Sequence, residues 1–173
     1  MTLAVEAPGK GAASGGAGRA LLLAAVAGVG LVAYLGLRPS QPWILWFTAA
    51  VTALAELPVR GLVTTGPAVD PDEVDAPANV TVVRSAPHGQ VLAEAEVLLT
   101  HGGHGTVMKG LVAGVPIVCM PTGRDQPDNA ARLTARGAGV RVGKGASPTR
   151  IATAVRQVLD DPSYREAAAR LGD

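Results

Sequence analysis

Short apolar runs alternate with stretches of helical spacing from residue 59 onward. Val59–Thr64, residues 80–84, Val97–Thr100, residues 116–120 and residues 140–142 are continuous and apolar enough to read as buried strands. Between them, residues 89–95, 106–113 and 127–136 read as helices. Ser147 followed by Pro148 marks the start of another helix, with Ile151, Ala154, Val155, Val158 and Leu159 on its buried face. Asp161-Pro162 ends it, and a last helix runs to about Leu171. Strands that alternate with helices predict an α/β fold, a Rossmann-like parallel sheet with helices on both faces. Ligands bind such sheets beyond the carboxyl ends of the strands.

The amino-terminal third is less regular. Residues 1–19 are rich in Gly and Ala without period, and residues 1–29 read as a disordered or apolar leader. Residues 20–37 form an uncharged run of 18 between Arg19 and Arg38. That length is compatible with a membrane span. The other reading divides the run, with residues 31–36 as the first strand of a domain over 30–173 and residues 43–55 as its first helix. Under the second reading the protein is cytoplasmic; under the first it is anchored through residues 20–37.

The densest chemistry lies at 98–129, LLTHGGHGTVMKGLVAGVPIVCMPTGRDQPDN. A strand ends at Thr100 and His101, Gly102, Gly103 and Gly105 follow, and Thr106 is expected to open a helix. Glycines let the backbone approach a ligand closely, and the leading amides of a helix carry the positive end of its dipole. A diphosphate suits that arrangement. After the next strand, Asp125 and Gln126 stand side by side, with Pro127 suited to the first helical position. A carboxylate beside an amide can accept and donate paired hydrogen bonds, as reading a sugar's edge requires. Asp125 could equally serve as a helix N-cap.

These residues resemble the carboxy-terminal, nucleotide-sugar-binding domain of the UDP-glycosyltransferase superfamily, of GT-B type, and look most like bacterial macrolide and antibiotic glycosyltransferases. The resemblance rests on THGGxGT at 100–106, GVP at 114–116 and P-x-x-x-DQ-x-x-N at 121–129, and extends over 53–171. It implies that His101, Gly102, Gly103, Gly105 and Thr106 bind the donor diphosphate, and that Asp125 and Gln126 hold the transferred hexose-type sugar. Ser85 and His88 would border the nucleotide base. Plant members carry a stacking tryptophan where Ser85 stands, and many members carry a ribose-binding glutamate where Lys109 stands. The first departure leaves uracil and thymine open, so the donor is a UDP-sugar or a dTDP-sugar, and the second means that ribose recognition must differ.

The resemblance also implies inversion at the anomeric carbon, no metal or other cofactor, and a catalytic base in an amino-terminal acceptor domain that this chain lacks. The chain alone is therefore expected to be inactive, with a small-molecule acceptor held by a missing or separate domain. One subunit of a split glycosyltransferase with a membrane partner, or a membrane-attached nucleotide-sugar-binding protein without catalysis, are the alternatives.

Composition narrows the field further. A net charge of +1, from 15 basic and 14 acidic residues, with 3% aromatic residues, argues against a nucleic-acid partner. Cys119 excludes an internal disulfide and, in the apolar stretch IVCM, reads as a buried structural thiol. His88, His101 and His104 show no regular metal-ligand spacing.

Overall fold

The computed structural model describes residues 2–4, 20–25, 42–67 and 69–173. Seven strands form one sheet: β1 (Thr2–Ala4), β2 (Ala20–Ala25), β3 (Val59–Thr64), β4 (Val80–Val83), β5 (Val97–Thr100), β6 (Ile117–Cys119) and β7 (Gly139–Arg141). β2 pairs in parallel with β3 and β5, β3 with β4, β5 with β6, and β6 with β7. β1 runs antiparallel to β2 and β5.

Six α-helices connect and cover the strands: α1 (Pro42–Ala55), α2 (His88–Glu94), α3 (His104–Val112), α4 (Gln126–Ala135), α5 (Pro148–Asp160) and α6 (Ser163–Gly172). α1 packs against α5, and α3 touches α2, α4 and α6. Right-handed crossovers place α1 and α5 on one face of the sheet and α2, α3 and α4 on the other. α6 runs past the amino-terminal ends of β5 to β7. Its Arg165 donates to Ala95 O at 3.0 Å, and Ala167 and Ala169 lie against Gly137 and Gly114.

The expected alternation of elements is realised, which is the α/β, Rossmann-like arrangement. β3 and β5 keep the bounds expected of them; β5 is an apolar run buried along its whole length, and β3 is buried except at Arg60 and, in part, Leu62. All four residues of β5 are fully buried. α5 starts as expected: Ser147 Oγ accepts from Arg150 N at 3.3 Å, Pro148 takes the first position, and Ile151, Ala152, Ala154, Val155 and Val158 are buried. The first six residues of the long apolar run, inside the expected leader, form strand β2. Residues 31–36, expected as the first strand, lie outside the described residues. Among the described residues no helix is long and apolar enough to cross a membrane.

The strand order fixes where a ligand can sit. The chain moves outward through β2, β3 and β4, then returns to the other side of β2 and moves outward through β5, β6 and β7. The direction reverses between β2 and β5. In open sheets a crevice opens at that point, beyond the carboxyl ends of the strands. Thr100 ends β5 there, level with Ala25 of β2 and Cys119 of β6.

Candidate functional site

Two loops leave the sheet at the switch point. The first runs from His101 to Gly103 and enters α3, and the second runs from Pro121 to Asp125 and enters α4. Gly102 takes φ +89°, a left-handed conformation, and is fully enclosed. Its amide lies 3.4 Å from Thr100 Oγ1, which anchors the turn to the end of β5.

α3 begins two residues before the expected start. Gly103 is its N-cap and has no side chain with which to cap it. The amides of Thr106 and Val107 both donate to Gly103 O at 3.0 Å. The helix therefore leaves the amides of His104 and Gly105 without an intrahelical partner. The amide of Thr106 is committed to Gly103 O, so its hydroxyl is the group it can offer a ligand. An uncapped helix start in a glycine turn is a site for an anion.

His101 is half-buried, and its ring covers the turn. A β-carbon built on Gly103 would stand 2.7 Å from His101 Nε2. Burial holds the imidazole below its ordinary pKa, while the nearby Asp125 carboxylate pulls it the other way. Burial thus favours the neutral ring, which can donate one hydrogen bond. The two loops are joined through Asn129, whose Nδ2 donates both to Gly102 O and to Asp125 Oδ2, so the turn after His101 and the Asp125 carboxylate share one neighbour. Twenty-four residues of sequence separate His101 from Asp125.

The second loop differs from a simple N-cap. Asp125 stands at the N-cap position of α4 but makes no side-chain cap bond. Its Oδ2 instead accepts from Asn129 Nδ2 at 2.8 Å. Gln126 is buried, and its Oε1 accepts from Thr122 N at 2.8 Å, Thr122 Oγ1 at 3.0 Å and Gly123 N at 3.1 Å. The carbonyl end of Gln126 is therefore occupied in shaping its own loop. Its NH2 is the end left for a ligand. Arg124, between these features, is a non-glycine residue at positive φ, 58°.

Asn129 ends the P-x-x-x-DQ-x-x-N motif. Its Nδ2 also donates to Gly102 O at 3.0 Å, so one amide group joins the two loops. Thr122 and Gly123, which shape the second loop, carry no sequence signal beyond an ordinary polar turn.

The expected base-side residues form a separate group. His88 opens α2, half-buried, and its Nδ1 lies 3.5 Å from Lys109 Nζ. Burial and the Lys109 charge both lower its pKa. Ser85 is exposed before α2. A groove of about 790 Å3 lies between α2 and α3, with His88 and Lys109 at its edge and Leu92, Met108 and Val112 on its apolar walls. Cys119 is fully buried, and burial pushes its thiol up to about 12, which fits the expected structural role. Among the described residues no group of three or more His, Cys, Asp or Glu side chains gathers as a metal would need.

The chain is similar in sequence and fold to known proteins. Residues 50–173 match the family described as erythromycin biosynthesis protein CIII-like, C-terminal domain. The 4'-demethylrebeccamycin synthase of Lentzea aerocolonigenes is 40% identical over 125 residues, 72% of this chain and 29% of that protein. A PGL/p-HBAD biosynthesis rhamnosyltransferase of Mycobacterium bovis (strain BCG / Pasteur 1173P2) is 38% identical over 124 residues, 71% of this chain and 27% of that protein. Among solved structures, spinosyn rhamnosyltransferase SpnG complexed with thymidine diphosphate superposes with a TM-score of 0.73 at 26% identity, over 87% of this chain and 40% of that one. The chain thus spans less than a third of the length of these curated relatives.

Proposed function

The chain belongs to the erythromycin biosynthesis protein CIII-like C-terminal domain family of GT-B glycosyltransferases, and on that footing we propose that it holds the nucleotide-sugar donor for sugar transfer. The diphosphate would sit on the turn between β5 and α3, against the leading amides of α3, the Thr106 hydroxyl and His101. The sugar would extend toward the free oxygen of Asp125 and the NH2 of Gln126. One observation carries this reading: at the switch point of the sheet, the turn that leads into the uncapped start of α3 and the Asp125 carboxylate are joined by the Asn129 amide.

Transfer follows from that placement. An acceptor hydroxyl attacks the anomeric carbon and loses its proton to a base on an acceptor domain. The bond from that carbon to the diphosphate oxygen breaks, and the sugar inverts. Negative charge grows on the departing diphosphate. The fixed amides and the neutral His101 N–H meet that charge without a metal, by preorganised hydrogen bonding. The donor is a hexose-type sugar on UDP or dTDP. A relative solved with thymidine diphosphate supports the class of ligand.

Isothermal titration calorimetry of the chain with UDP, dTDP, UDP-glucose and dTDP-glucose tests the reading. Saturable binding of at least one nucleotide, with a stoichiometry near one, is expected. Absence of binding by all four at millimolar concentration overturns it.

A further inference from the structure

We infer that Asn129 is a positioning residue that sets the sugar-binding carboxylate against the diphosphate-binding turn. The inference rests on the donor-binding reading above and deepens it. Asn129 lies in the first turn of α4, four residues after Asp125, so its side chain returns over the helix start. Its Nδ2 spends one hydrogen on Gly102 O at 3.0 Å and the other on Asp125 Oδ2 at 2.8 Å. Both partners are oxygens that can only accept, so the amide orientation is dictated by chemistry. The Asn oxygen in that place would face a carbonyl and a carboxylate at once.

The two acceptors belong to different parts of the site. Gly102 O is in the turn that would hold the diphosphate, and that turn is already tied to β5 through Thr100. Asp125 is exposed and has no cap bond to hold it. Among the described residues, Asn129 is the side chain that hydrogen-bonds both loops. It therefore ties the exposed Asp125 side chain to the buried glycine turn. Asp125 keeps one oxygen, Oδ1, pointed by the Oδ2 bond. A carboxylate held in one orientation reads a sugar hydroxyl more tightly than a freely turning one, because its rotamer freedom is spent before the ligand arrives. Asn129 would thus act on the sugar through Asp125, without touching it.

The test is a double-mutant cycle on the 173-residue chain. Asn129→Ala, Asp125→Ala and the double variant are titrated with UDP, UDP-glucose, dTDP and dTDP-glucose, and each is checked for folding by thermal melting. Asn129→Asp serves as a second variant that keeps the side-chain shape and loses both donors. Asn129→Ala should weaken the sugar nucleotide about fivefold to tenfold more than the matching free nucleotide. In the Asp125→Ala background the same change should shift that ratio by less than about twofold, because the residue it acts through is gone. Asn129→Asp should lose at least as much as Asn129→Ala. Equal losses for free and sugar nucleotide, or losses additive with Asp125→Ala, overturn the inference and leave the donor-binding reading standing. Failure of the unmutated chain to bind any of the four overturns both.

Discussion

Cys119 Sγ occupies the place that a β-carbon on Gly102 would take. The thiol comes from β6, the strand beside the edge strand β7, and the glycine from the turn after the neighbouring β5, so the sheet itself dictates the side chain that the turn can carry. Gly102 also sits at φ +89°. Backbone conformation and space thus exclude every other residue independently.

Gly102→Ala should therefore destabilise the fold by about 2–5 kcal/mol, the sum of a left-handed backbone penalty and an overpacking penalty. Urea unfolding measures it. Combining it with Cys119→Ala removes the clash and leaves the backbone term, so the double variant should be more stable than the sum of the two singles. Strict additivity would show that the two residues do not meet.

His101→Ala should weaken UDP or dTDP binding by about 1.5–3 kcal/mol, tenfold or more, as expected for one hydrogen bond to a charged group. Calorimetry reads the change directly. An unchanged affinity removes His101 from the diphosphate site.

Asp125→Ala should weaken a sugar nucleotide while leaving the free nucleotide nearly unchanged. The carboxylate makes no cap bond in α4, so its removal should spare the helix. Equal losses with both ligands would assign Asp125 to holding the loop alone.

Stability should fall as pH drops below about 6.5, the ordinary pKa of histidine. Burial lowers the folded-state pKa of His101, and burial with Lys109 lowers that of His88. The unfolded chain therefore takes up protons first on acidification, and stability is lost from the unfolded pKa down through the folded ones. Above that range these two groups contribute no slope. His101→Gln should flatten the acid limb below about pH 6.5, measured by urea unfolding at each pH. An identical slope in that variant would locate the titration elsewhere.

Element types were legible in the sequence where burial alone decides them. Val97–Thr100 lies in the sheet interior, covered on both faces, so a continuous apolar run was its sufficient signal. Ser147-Pro148 carries its cap chemistry locally, within three residues, and no distant partner could change it. The start of α3 was less legible. Gly103 caps it through backbone conformation alone, and a glycine gives no side-chain signal of that role.

The roles of Asp125, Gln126 and Asn129 needed the tertiary structure. The string DQPDN is consistent with a helix cap, and Asp125 holds the cap position without the cap bond. What diverts its side chain is Asn129, which in turn is held by Gly102, 27 residues away in sequence. A hydrogen bond between segments that far apart depends on how two loops meet at the sheet edge, and no local propensity encodes it.

By itself the sequence determined the alternation of strands and helices, the glycine turn and the polar pair, because hydrophobic spacing and backbone freedom are local properties. The tertiary structure decided which of these groups face one another. It placed β5 beside β2 at the reversal of strand order, turned the Gln126 carbonyl into its own loop and set Asn129 between Gly102 and Asp125. Those relationships arise from long-range packing, in which each polar group satisfies the partner that the folded sheet brings within reach.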